Sequence, residues 1–159
     1  MEIREATVQD AQEILNLQRL AYQSEAAIYN DYTIAPLTQS LGEIEADFTR
    51  QVFLKATIGD RIVGSVRAYV RDGTCLIGRL IVHPDLQNRG IGTLLIKEIE
   101  RRFHAARRYE LFTGEKSERN LYLYQKLGYR KFHTERATDR VAIVYLEKRA
   151  SESSGGDAA

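Results

Sequence analysis

In the stretch Leu80-Ile81-Val82-His83-Pro84-Asp85-Leu86-Gln87-Asn88-Arg89-Gly90-Ile91-Gly92, an apolar strand runs into a proline-marked turn, and the turn opens a long amphipathic helix. The first turn of a helix carries unpaired backbone N–H groups and the positive end of the helix dipole, so it suits a phosphate. Glycine at 90 and 92 removes side chains that would hold a phosphate away and permits unusual dihedrals. Gln87 and Arg89 add donors, Arg89 with charge. The residues therefore predict an anion site. The plainer alternative is a helix start whose glycines only ease a tight turn. Neither common nucleotide loop fits. The dinucleotide fingerprint lacks its third glycine, since Leu95 follows Gly90 and Gly92, and no G-K-[ST] is present.

Upstream of the turn the period of the apolar residues is that of strands. Val52 to Ile58 and Ile62 to Val70 flank Gly59-Asp60, and Asp72-Gly73 leads into Cys75 to Val82. Both dipeptides are hairpin signals, so three consecutive strands form an antiparallel meander. Further upstream, Ile3 to Ala6 reads as a short strand. A Thr7-to-Asp10 capping box opens a helix from about Val8 to Tyr22, with Ala11, Ile14, Leu15 and Gln18 at helical spacing. Tyr22 to Leu37 has weak periodicity, three tyrosines (Tyr22, Tyr29, Tyr32) and an interrupting Pro36. A second helix starts near Thr38, with Leu41, Ile44 and Phe48 on one face.

Downstream, the helix runs from about Gly90 to Arg107 with Ile91, Leu94, Leu95, Ile99 and Phe103 inward. Tyr109 to Thr113 is a strand, and the connecting helix makes it parallel to the strand before the turn. A short helix from Glu118 to Leu127 is stopped by Gly128. Tyr129 to Thr134 and Val141 to Glu147 are the last strands. The tail SESSGGDAA reads as disordered, so the domain is 1–148 with a disordered 149–159.

Bulk properties bound the partners. The 159 residues fit one domain, and a formal net charge of +1 implies no general attraction to nucleic acid or acidic membranes. No run approaches the ~18 apolar residues of a membrane span, and the N-terminus has no signal-peptide stretch, which together imply a cytoplasmic protein. The single cysteine, Cys75, excludes an intramolecular disulfide. His83, His104 and His133 lie far apart without metal-ligand spacing, so no metal is expected.

Val82-x-Pro84-x-x-Gln87-x-x-Gly90-x-Gly92 resembles the acetyl-CoA signature Q/R-x-x-G-x-G/A of the GCN5-related N-acetyltransferase (GNAT) family. Asn120-Leu121-Tyr122-Leu123-Tyr124-Gln125-Lys126-Leu127-Gly128-Tyr129 resembles that family's second cofactor segment, L-Y-x-x-L-G-F/Y. The order of elements matches over about residues 2 to 148. The resemblance implies a mixed α/β fold: a mostly antiparallel, twisted sheet of six to seven strands, flanked by about four helices, with one parallel pair splayed at the cofactor site. It implies that backbone groups of Leu80 and Val82 hold the pantetheine arm, and that Gln87, Asn88, Arg89, Gly90, Ile91 and Gly92, with Thr93, hold the pyrophosphate. Gly78 would mark a bulge in the strand. Asn120 contacts the arm, Ser117 caps the second helix or fills a polar place beside it, and Tyr124 protonates the departing thiolate.

The implied activity is transfer of an acetyl group from acetyl-CoA to a primary amine of a small molecule or peptide, by direct attack in a ternary complex. An acetyl-cysteine route is disfavoured because Cys75 lies far from the signature end of its strand. A different class, a non-catalytic acyl-CoA sensor or interaction module, remains on the same fold. Glu25 and Glu115 are candidates for activating the amine. Arg79, mid-strand, reaches either the substrate side or a salt bridge. Tyr22, Tyr29 and Tyr32, with Arg67 and Tyr69, are candidate walls of an amine pocket. Exposed sheet edges allow a homodimer.

Overall fold

A computed structural model of the chain describes residues 1–150. The tail assigned as disordered lies, from residue 151 on, outside the described residues. Its first members, Arg149 and Ala150, are ordered: Arg149 pairs with Arg108, and the Ala150 N–H donates to the Arg107 carbonyl at 3.0 Å.

The seven strands are β1 (Glu2–Glu5), β2 (Val52–Ile58), β3 (Arg61–Arg71), β4 (Thr74–Val82), β5 (Arg108–Gly114), β6 (Arg130–Arg136) and β7 (Ala142–Arg149). They form one sheet in the order β1-β2-β3-β4-β5-β7-β6. Every neighbouring pair is antiparallel except β4 and β5, as the intervening helix requires. The β2-β3-β4 meander stands as read. At its second hairpin Asp72 and Gly73 both have positive φ, 52° and 80°, the conformation a two-residue turn needs to match strand twist.

The helices are α1 (Ala11–Ala21), α2 (Gln23–Tyr29), α3 (Ala35–Thr38), α4 (Leu41–Asp47), α5 (Ile91–Arg102) and α6 (Glu118–Lys126). Alternate strand residues face opposite layers. Leu54, Ala56 and Val63 pack with Leu95, Ile96 and Ile99 of α5 and with Tyr124 of α6. Phe53, Ile62 and Ile81 pack with Ile14 and Leu15 of α1 and Ile44 of α4.

Several boundaries differ from the sequence reading. Val8–Asp10 is a 3-10 turn before α1, in which the Thr7 N–H donates to Asp10 Oδ2 (2.9 Å) and the Asp10 N–H to the Thr7 carbonyl (2.8 Å). The weakly periodic segment holds α2 and α3, two short helices beyond the four expected. Pro36 does not interrupt a helix but sits in the first turn of α3, where its missing N–H costs nothing. The next helix starts at Leu41, with Ser40 accepting from the Glu43 N–H at 3.1 Å as its cap. On α5 Leu94 is exposed, and Ile96 takes the buried place. The α5 helix ends five residues before Arg107. Tyr109 donates its hydroxyl to the carbonyls of Glu100 and Phe103, while Arg107 leaves to bond Gly73 and Asp72 of the β3–β4 hairpin.

Candidate acetyl-donor and acceptor sites

Pairing between β4 and β5 covers only Thr74–Leu76 against Arg108–Glu110. Beyond Leu76 the two strands separate, although β4 continues to Val82 and β5 to Gly114. A bulge accompanies the split. Arg67 pairs with Gly78 and Ser65 with Ile81, so Val66 faces two residues, Arg79 and Leu80. The glycine does not make the bulge. A Cβ on Gly78 would meet nothing within 4 Å, and it is Arg79 that takes the left-handed φ of 51°.

The turn after β4 has two further left-handed residues, Asn88 (φ 63°) and Gly90 (φ 84°), and α5 begins at Ile91 without a side-chain cap. From Gln87 through Thr93 no backbone N–H donates to another described residue, and the first amide with a partner is that of Leu94, bonded to the Gly90 carbonyl at 3.0 Å. Consecutive free amides around left-handed residues form a concave anion cradle. Gly92 completes it by close approach: a Cβ there would lie 3.3 Å from Leu123 and 3.6 Å from Leu80.

An open cleft of about 940 Å³ runs along this turn. Of the residues picked from sequence, Leu80, Val82, Gln87, Asn88, Gly90, Ile91, Gly92, Thr93 and Asn120 line it. Arg89 stands in the turn, exposed, but does not line the cleft, and the Ile91 side chain is in the core, so only its backbone faces the site. The sequence reading missed Lys116, Arg119 and Lys126, three cations on the opposite wall. They surround the second motif, and their charge was the signal available.

A second cavity of about 370 Å³ lies on the other side of the split, lined by Tyr124, Arg79, Tyr29 and apolar residues of β4, β5 and β7. The two cavities share Tyr22, Glu25, Leu80 and Asn120. Tyr124 is buried, and its hydroxyl forms no hydrogen bond to another described residue. Burial, then the neighbouring Tyr22 and Glu25, raises its pKa well above that of a free phenol. Burial also raises that of Tyr22.

Glu25 accepts a 2.5 Å hydrogen bond from Ser117 Oγ. Ser117 stands at the cap position of α6 but makes no side-chain cap bond, because its hydroxyl is turned to Glu25. Glu115 is exposed and lines neither cavity. Tyr29 Oη accepts from the Lys116 N–H at 2.8 Å and leaves no room for a Cβ at Gly114, which clamps α2 to the end of β5. Tyr32 points to solvent, and Arg67 and Tyr69 line neither cavity. Arg67 is buried among Asp47 (2.9 Å), Gln18 (2.8 Å) and the Phe53 ring, and burial followed by the nearby Arg79 lowers its pKa to about 10.

A splayed parallel pair, a bulged strand and a free-amide turn at a helix start are the features that the sequence resemblance implied. The model of the acetyltransferase (GNAT) family matches residues 11–129, and the chain belongs to that family. It is 29% identical over 140 residues to the UPF0157 protein YqkA of Bacillus subtilis (strain 168), an alignment covering 88% of this chain and spanning 40% of that protein's length. An acetyltransferase of the GNAT family from Streptococcus pneumoniae superposes with a TM-score of 0.72 at 20% identity, over 93% of this chain and 98% of that one. The paia N-acetyltransferase of Thermoplasma acidophilum, solved in complex with coenzyme A, gives 0.69 at 17%, over 93% and 98%. Among the described residues no helix is long and apolar enough to cross a membrane, and no three His, Cys, Asp or Glu side chains cluster as a metal site.

Proposed function

We propose that the protein transfers an acetyl group from acetyl-CoA to a primary amine, with donor and acceptor meeting where the two cavities share Tyr22, Glu25, Leu80 and Asn120. That junction is the observation that carries the reading. The coenzyme supplies an acetyl thioester. The free amides from Gln87 to Thr93 hold its pyrophosphate, helped by Lys116, Arg119 and Lys126. Leu80 stands in the bulge outside any ladder pair, so its backbone is free for the pantetheine, with Val82 beyond it and Asn120 opposite. The coenzyme A complex of the Thermoplasma relative supports this use of the fold.

Transfer forms a carbon–nitrogen bond, breaks the carbon–sulfur bond, and moves a proton from the amine to solvent and another to sulfur. Tyr124 holds the second proton. The raised pKa keeps the Tyr124 phenol protonated at working pH; it hydrogen-bonds the developing thiolate, passes its proton to sulfur and regains one from solvent. Glu25, fixed by Ser117, takes the amine proton directly or through water. Cys75 is fully buried and its pKa is pushed up to about 12, first by burial and then by Glu100, which favours direct attack over an acetyl-cysteine. Orientation of the two substrates then provides much of the rate. Residues 1–148, with Arg149 and Ala150, act as one acetyltransferase domain, and a cytoplasmic location and a homodimer through the sheet edge belong to the same proposal.

The test is release of free thiol from acetyl-CoA with a panel of small amines, amino acids and peptides. Amine-dependent release with an N-acetyl product supports transfer. Tight acetyl-CoA binding with no release for any amine would instead make the protein an acyl-CoA sensor.

A further inference from the structure

The acceptor cavity contains a cation, Arg79, with which no described residue forms an ion pair, although Glu25 and Asp31 line the same cavity. Arg79 lines it, makes no ion pair or side-chain hydrogen bond among the described residues, and has its Nε buried without a partner. A buried guanidinium nitrogen without an acceptor is costly, and such groups are ordinarily paired. The nearby acids are already engaged. Asp47 is held by Arg67, Arg50 and Gln39; Glu25 by Ser117; Asp31 by the Thr33 hydroxyl and N–H. Arg67 adds a second positive charge close to Arg79. The backbone also pays for this placement, because a non-glycine residue at φ 51° is strained and strain of this kind collects at functional sites.

Resting on the acetyl-transfer reading, we infer that the acceptor is a small amine bearing a carboxylate, and that Arg79 binds this carboxylate while the amine faces the junction at Leu80 and Asn120. The guanidinium fork matches a carboxylate with two parallel hydrogen bonds. The cavity of about 370 Å³ is of small-molecule size, and its walls of Ile77, Leu111, Val141 and Ile143 suit an apolar side chain beside the two polar groups. A cationic polyamine or a lysine-rich protein tail would meet the unpaired Arg79 with like charge.

The experiment compares leucine, phenylalanine and β-alanine, each against its own amide, with phosphoethanolamine against ethanolamine as the phosphate arm. Wild-type, R79Q and R79K proteins are assayed for kcat/KM, and the same amines are titrated calorimetrically into the CoA-loaded protein. Acetyl-CoA affinity of each variant reports an intact fold. The expected result is a preference for acid over amide of about 10- to 100-fold, the range of a charge-assisted hydrogen bond. It should collapse toward one in R79Q, mainly through KM, and recover in part in R79K. Equal kcat/KM for acid and amide in the wild type, loss of both alike in R79Q, or a larger preference for phosphoethanolamine would overturn the carboxylate assignment. Arg79-dependent binding of the acid without transfer would uphold it and overturn the transferase reading instead.

Discussion

Replacing Gly90 with alanine separates backbone conformation from bulk at the turn proposed to hold the pyrophosphate. A Cβ at residue 90 meets nothing within 4 Å, so the substitution adds no clash. Its cost is conformational: Gly90 sits at φ 84°, ψ 3°, and a left-handed residue with a Cβ costs roughly 1–2 kcal/mol. The turn is exposed from Asn88 to Gly90, and its amides hold no internal bonds. The free protein therefore relaxes there, with little change in melting temperature. Binding must restore the left-handed turn, so the same roughly 1–2 kcal/mol appears as an affinity loss of about 5- to 30-fold. Asparagine tolerates this region better and should lose less, whereas valine should lose more. Calorimetric titration of acetyl-CoA into the three variants, beside melting curves of the free proteins, measures both quantities. Unchanged affinity in all three, or equal losses for asparagine and alanine, would refute a cradle that depends on the left-handed turn.

Tyr124→Phe should lower kcat by about 100-fold or more while acetyl-CoA affinity stays within about twofold, as for loss of a general acid; equal turnover would reduce Tyr124 to packing. With its pKa raised by burial, wild-type turnover should also persist through pH 10, where a free phenol is half ionised. Cys75, with its thiol at about 12, should be thiolate in only about one part in a thousand at pH 9, so iodoacetamide should label it only on unfolding. Labelling of the native protein within minutes would contradict that. The Glu98 carboxyl is held down to about 2, chiefly by its hydrogen bonds to Arg101 and also to Arg102. A depressed carboxylate stabilises above its unfolded pKa near 4.3 and loses that effect as pH falls through 2. Glu98→Gln should thus cost no more than ~1 kcal/mol of stability at pH 6, since its partner Arg101 is largely exposed, lowering the melting temperature slightly there and not at all near pH 2.

The sheet was legible because its signals are local. Gly59-Asp60 and Asp72-Gly73 set the hairpins, and the helix after Gly90 fixes the parallel partner of β4. The lining of the larger cleft was legible for the same reason, since its stretch from Leu80 to Thr93 is continuous in sequence. What resisted was built from short or distant pieces. Buried contacts of α2 come from Ala26 and Tyr29 alone, and of α3 from Pro36 alone, so neither shows an amphipathic stripe. The Ser117–Glu25 bond joins residues 92 positions apart, which no spacing rule announces. At the bulge, Gly78 drew attention because glycine permits positive φ, yet the strand places Arg79 there. The burial of its Nε emerges only in the folded chain, where Tyr22 and Arg67 lie near it.

The most direct test of the proposed site is a thermal-melt panel with acetyl-CoA, free CoA, longer acyl-CoAs, NAD and ATP. A ligand at 100 times its dissociation constant adds roughly 2.7 kcal/mol, a rise of several degrees for a domain of this size. A rise with CoA species and none with NAD or ATP is the expected result. No rise with any CoA species would contradict the cofactor site, and the transfer reading with it.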